Sequence, residues 1–125
     1  MIDLRRDPDP SGPVITSFSG TGFRVQNMVY NDGLMLTPVE ATAWTAPDAG
    51  ALTPEDVRPL LDLEPRPEFL LLGTGSGLVH PPRAFVRVLE AMGIGVEVMD
   101  SRAAARAWGV LRAEERWIVG AFLPL

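Results

Sequence analysis

The feature that most constrains this chain is Glu68-Phe69-Leu70-Leu71-Leu72 running into Gly73-Thr74-Gly75-Ser76-Gly77. An unbroken apolar run of strand length shows no alternation of apolar and polar residues, so it reads as a strand covered on both faces and placed centrally in its sheet. Covering both faces takes helices, and two helical patterns follow. From Pro82 to Met92, Phe85, Val88, Leu89 and Met92 recur at i, i+3, i+4 and i+7, with Gly93 placed as a C-cap. Gly95-Val96-Glu97-Val98-Met99 is the next strand, and Asp100 or Ser101 caps a helix in which Ala104, Ala107, Trp108 and Leu111 repeat the spacing. Gly109 lowers helix stability by about 1 kcal/mol relative to Ala, which predicts an end or bend there. Trp117 to Phe122 closes the chain as a strand. The order strand, helix, strand, helix, strand predicts an α/β layer with parallel, right-handed crossovers. A helix between Glu68–Gly73 and Gly95–Met99 is too long for a hairpin and long enough for such a crossover.

The first half has a different texture. Val14 to Phe18, Gly22 to Gln26, Leu34 to Leu36 and Ala41 to Trp44 are short apolar pieces separated by turn residues, which predicts an antiparallel meander. Ser19-Gly20-Thr21-Gly22 and Asn31-Asp32-Gly33 read as hairpin turns, because glycine supplies the positive φ that tight turns demand. At Thr53-Pro54-Glu55-Asp56 a capping signal starts a helix ending near Leu63, short or kinked because Pro59 lacks an N–H. Residues 1 to 12 read as a flexible leader and 13 to 125 as a single globular α/β domain, 125 residues being too few for two ample cores.

Composition narrows the chemistry. There is no cysteine and one histidine, so thiol nucleophiles and thiolate metal centres are excluded and a dedicated metal site is not expected. The net charge is −5 and the 11 basic residues are all Arg and scattered, an unsuitable surface for nucleic acid. No apolar run is long enough for a signal core or a bilayer span, which points to a cytoplasmic protein with no transmembrane segment.

The candidate crevice is formed by Gly73, Thr74 and Gly75 at the end of one strand with Asp100 and Ser101 at the end of its neighbour, since parallel crossovers bring both to one sheet edge, where α/β folds bind ligands. Arg116 is added as the cation that could hold an anion or substrate. Against this, Leu78 stands where a dinucleotide fingerprint needs glycine, and the chain has no Lys for a phosphate loop. The plainer readings are a tight turn at the glycines, helix capping by Asp100, a solvated turn or ion pair at Glu114-Glu115-Arg116, a loop position for His80 and a core position for Trp108. No catalytic triad and no cofactor motif is encoded.

Leu71-Leu72-Gly73-Thr74-Gly75, Gly93 to Ser101, Ala103-Ala104-Ala105 and Leu111 to Arg116, in that order and preceded by Gly22-Phe23-Arg24-Val25 and the Tyr30 to Pro38 hairpin, carry a resemblance. The chain resembles, as a bacterial member, the small domain shared by mitochondrial complex I assembly factor 3 and the adipogenesis-associated protein. That resemblance implies a three-layer fold, a mixed central sheet flanked by helices and by a small N-terminal β layer, and no established enzyme activity. Ala107-Trp108-Gly109 replaces the polar Thr-Tyr-Asn triplet common in relatives. The leading expectation is a non-catalytic binding or assembly domain, linked to biogenesis of a membrane or respiratory complex, with a protein partner or a second copy of itself and no cofactor. The alternative is a small-molecule or anion-binding enzyme using the glycine loop and Asp100.

Overall fold

A computed structural model describes residues 12–125, so nearly all of the expected leader lies outside the described residues. Two sheets form: β1 (Ser17–Ser19), β2 (Gly22–Val25) and β3 (Met28–Tyr30) make a three-stranded antiparallel meander. The second sheet contains β4 (Leu34–Leu36), β5 (Ala41–Ala43), β6 (Phe69–Gly73), β7 (Gly95–Met99) and β8 (Val119–Phe122). Its strand order is β5-β4-β8-β6-β7. β6 runs parallel to β7 and to β8, while β4 is antiparallel to β5 and β8, so the sheet is mixed.

β6 is an interior strand as expected, although the middle place belongs to β8. Its side chains show why the run has no alternation. Leu70 and Leu72 join one core cluster with Val119 and Ala121, whereas Leu71 joins the other with Ile118 and Phe122. The first face is covered by a 3-10 turn, Pro54–Val57, by α1 (Arg58–Leu61) and by α2 (Arg83–Ala91), through Val57, Leu60, Phe85 and Leu89. On the opposite face lie α3 (Ser101–Ala113) and the meander, through Ala104, Trp108, Phe23 and Val25. Phe122 stands edge-on to Trp108 and tilted against Phe23, so one ring of β8 joins helix and meander. The Trp108 indole N–H donates to the Pro13 carbonyl at 2.9 Å, which anchors the first described residues to α3.

Several expectations are corrected in detail. The four strand pieces expected in the first half are not one meander. β4 and β5 belong to the large sheet, and β3, which had not been expected as a strand, completes the small one. Asn31-Asp32-Gly33 therefore links two sheets and is not a hairpin turn; a Cβ at Gly33, φ 138°, would stand 2.7 Å from the Trp44 carbonyl. β1 begins at Ser17, after Val14 to Thr16 have run alongside β2 with one bond from Thr16 N–H to the Arg24 carbonyl. In the region from Thr53 to Leu63 only one turn is α-helical, and the Asp56 carboxylate accepts from both the N–H and the hydroxyl of Thr53. Val88 is exposed on α2, its place toward the sheet taken by Val86. α3 continues through Gly109 to Ala113, since Ala104, Trp108 and the buried Arg112 hold that face against the sheet.

Candidate functional site

The two crossovers, β6-α2-β7 and β7-α3-β8, place their helices on opposite faces, so the chain leaves the C-terminal ends of β6 and β7 in opposite directions. In an open α/β sheet such a switch point leaves a crevice between the two strand ends. The residues that meet there are Gly73, Thr74 and Gly75 after β6 and Asp100 and Ser101 after β7, the group drawn from the sequence.

The crevice is sewn shut. Thr74 N–H donates to the Met99 carbonyl at 2.9 Å and Ser101 N–H to the Gly75 carbonyl at 2.8 Å. The Ser101 hydroxyl accepts from Gly75 N–H at 2.8 Å and donates to the Leu123 carbonyl at 2.7 Å, with the residue 0% exposed. The Thr74 hydroxyl donates to the Gly77 carbonyl at 2.6 Å and accepts from Val79 N–H at 3.0 Å, which shapes the glycine loop from inside. Asp100 accepts from Ala103 N–H at 2.9 Å, a helix cap. Gly75, at φ 99°, occupies a conformation few side chains adopt, and a Cβ on Gly73 would stand 2.8 Å from the Ser101 Oγ and 2.9 Å from its Cα. These glycines let the first turn of α3 close onto the end of β6.

Arg116 is not part of this group. It sits in the turn before β8, at the opposite end of β6, about 16 Å away for five residues at a rise of ~3.3 Å. Its guanidinium pairs with the Glu68 carboxylate at 2.8 Å and lies over the Phe69 ring. Trp117 N–H also donates to Glu68, at 3.2 Å. The hydrogen bond from Arg116, aided by the Trp117 N–H, holds the Glu68 carboxyl below the ordinary carboxylate range, against a smaller opposing effect of desolvation. Arg116 thus braces the start of β6 against β8.

Open surface lies elsewhere. A cleft of 440 Å³ between α2 and the outer edge of β7 is lined by His80, Pro81, Arg83, Val86, Arg87 and Val98. A groove of 520 Å³ runs between the meander and the β4–β5 hairpin, past Val25, Met28, Tyr30, Val39 and Glu40. Neither groove is marked by a sequence motif; the i, i+4 spacing of Arg83 and Arg87 is the signal available for the first. Among the described residues no group of three or more His, Asp or Glu side chains is arranged to hold a metal, and no helix is long and apolar enough to cross a membrane.

Residues 15–123 match the family model for a protein of unknown function, DUF498/DUF598. This chain belongs to that family. Within reach of the DUF498/DUF598 membership, an uncharacterized protein of Rhodobacter capsulatus is 32% identical over 96% of this chain and 92% of its own length. NADH dehydrogenase [ubiquinone] 1 alpha subcomplex assembly factor 3 of Danio rerio is 30% identical over 98% of this chain and 71% of its own length. The fold is similar to the crystal structure of a Bordetella parapertussis protein, with a TM-score of 0.83 and 31% identity over 94% of this chain and 100% of that one. It is also similar to a solution structure from Bordetella pertussis named a Mth938-like domain, at TM-score 0.80 and 28% identity over 98% and 92% of the two chains. The mixed sheet, its helices and the small meander seen here thus lie within a fold shared with solved structures.

Proposed function

We propose that this DUF498/DUF598 protein is a cytoplasmic, non-catalytic binding protein that helps assemble a membrane or respiratory complex through contact with a protein partner. Kinship with the assembly factors supports an assembly role at a coarse level. The observation that carries the rest is the state of the switch point. Its hydroxyls and amides, Ser101 and Thr74 above all, bond to each other and to nearby carbonyls, which makes them structural cross-links between strand ends. A nucleophile or an anion cradle needs such groups directed at a ligand.

The test is a deletion strain of the native organism, its membranes resolved by native gel electrophoresis. The reading expects subcomplexes of a respiratory or other membrane complex to accumulate and to be cleared when the gene is restored. Unchanged complexes in the deletion strain would overturn it.

A further inference from the structure

β7 is the last strand of its sheet, and among the described residues no strand pairs with its outer edge. Gly95 N–H donates inward to Glu68, and the Met99 carbonyl accepts inward from Thr74. Because backbone groups of a parallel strand alternate sides, Gly95, Glu97 and Met99 face β6, and Val96 and Val98 turn their N–H and C=O to the open edge. Val98 lines the 440 Å³ cleft beneath α2, where Arg83, Arg87 and His80 stand over the same edge. Both arginines are exposed, and neither has an ion-pair or hydrogen-bond partner among the described residues. Glu90 is further along the same helix stripe and Asp100 is held in its cap, and neither lines the cleft. Leu78 and Val79, at 57% and 46% exposed, lead into the cleft directly before His80. On a chain of net charge −5, this places unpaired positive charge, exposed apolar side chains and a free strand edge together.

We propose that the β7 edge is a docking site for an extended acidic segment of a partner protein, added as a sixth strand with carboxylates at alternate positions under Arg83 and Arg87. The geometry matches the two repeats. Arg83 and Arg87 are one helical turn apart, about 6 Å along the axis, and alternate side chains of a strand are about 6.7 Å apart. Residues i and i+2 of the segment reach the two guanidiniums, its main chain bonds to Val96 and Val98, and an apolar residue at one end rests on Leu78 and Val79. Strand addition of this kind takes affinity from the backbone and specificity from alternate side chains. Arginine suits the carboxylates because its planar fork binds them through two parallel hydrogen bonds. The site deepens the protein-binding reading and rests on it.

The probe is a fluorescently labelled six-residue peptide alternating Glu and Val, followed by anisotropy with the whole protein. Binding is expected to fall at least tenfold when Arg83→Glu and Arg87→Glu are combined, when glutamine replaces glutamate in the peptide, or when the peptide amides facing β7 are N-methylated. Both arginines are exposed, so the double variant should keep the parent melting curve. Equal binding of the N-methylated peptide would overturn strand addition, and equal binding to the double variant would overturn the arginine site. If free glutarate competes as well as the peptide, the cleft is a small-acid site and the proposal falls. A native partner that co-purifies equally with the double variant would sink this surface while leaving the assembly reading intact.

Discussion

Replacing Ser101 with alanine separates a structural hydroxyl from a functional one. The side chain is fully buried at the start of α3, and its Oγ accepts from Gly75 N–H and donates to the Leu123 carbonyl. Ser101→Ala removes one small atom and leaves an amide and a carbonyl in a space that water reaches poorly. A buried group stripped of its partner costs about 1–3 kcal/mol, so the pair costs about 2–6 kcal/mol, of a total stability of about 5–15 kcal/mol. At roughly 3–5 °C per kcal/mol for a domain of this length, the melting temperature falls by roughly 6–30 °C. Asp100→Ala, one residue earlier, removes only the cap to Ala103, worth about 1 kcal/mol, and should lower it by roughly 3–5 °C. Differential scanning calorimetry of the three proteins decides the matter. A Ser101→Ala protein melting within about 2 °C of the parent, or below the Asp100→Ala protein in cost, would refute the cross-link, because hydroxyls held ready for chemistry are commonly neutral or costly to stability.

Leu71→Asp puts an unpaired carboxylate among Phe23, Trp108 and Phe122, at a cost of several kcal/mol; the far-ultraviolet melt should lose its cooperative step, and an unchanged transition would disprove the burial. Glu68→Gln tests the brace at the other end of β6. The folded carboxyl is held below its unfolded value, so its contribution is complete above about pH 4.3, the ordinary Glu value, and is lost as pH falls through the lower folded value; the small difference between the Gln variant and the parent should be largest near neutrality and vanish in acid. A difference that grows on acidification would contradict the pairing with Arg116. Millimolar phosphate or nucleotide should leave the melting temperature within about a degree, since a ligand at a hundred times its dissociation constant adds about 2.7 kcal/mol and would be plain. A rise of several degrees would reinstate the glycine-loop reading, unless Arg83→Glu with Arg87→Glu abolishes it, which would assign the anion to the α2 cleft.

The α/β half was legible because its signals are local. An unbroken apolar run, two 3.6-residue stripes and a pair of turn glycines name β6, α2, β7 and α3, and the spacing between strands forces the parallel crossover that is found. The first half was less so, because strands of three residues carry almost no periodicity. Whether Leu34–Leu36 pairs with β3 or with β8 depends on register across some 85 residues of chain, a choice made by Phe122, Ala121 and Gly120 and invisible at Asn31-Asp32-Gly33. Gly109 misled for a related reason. Its intrinsic cost of about 1 kcal/mol is outweighed by Trp108 and Arg112, buried on either side of it.

The same distinction explains why proximity at the switch point is legible in the sequence and the hydrogen-bond partners of its polar groups are not. Topology fixes which loops share a sheet edge, so Gly73 to Gly75 and Asp100-Ser101 could be brought together from the sequence alone. Whether a hydroxyl there faces a ligand or a carbonyl depends on where β8 ends, because the acceptor is Leu123, 22 residues further along. Arg116 does not share that edge, and its plainer reading, an ion pair, is what the structure has. It lies before β8, and a residue before a parallel strand stands at the opposite end of the sheet from residues after one. Glycines and a capping acid at strand ends are therefore evidence for a crevice only when the next strand in the sheet leaves it open. Here β8 closes it, Ser101 joins three segments of chain, and the exposed arginines that line a cleft stand elsewhere, on α2 above the outer edge of β7.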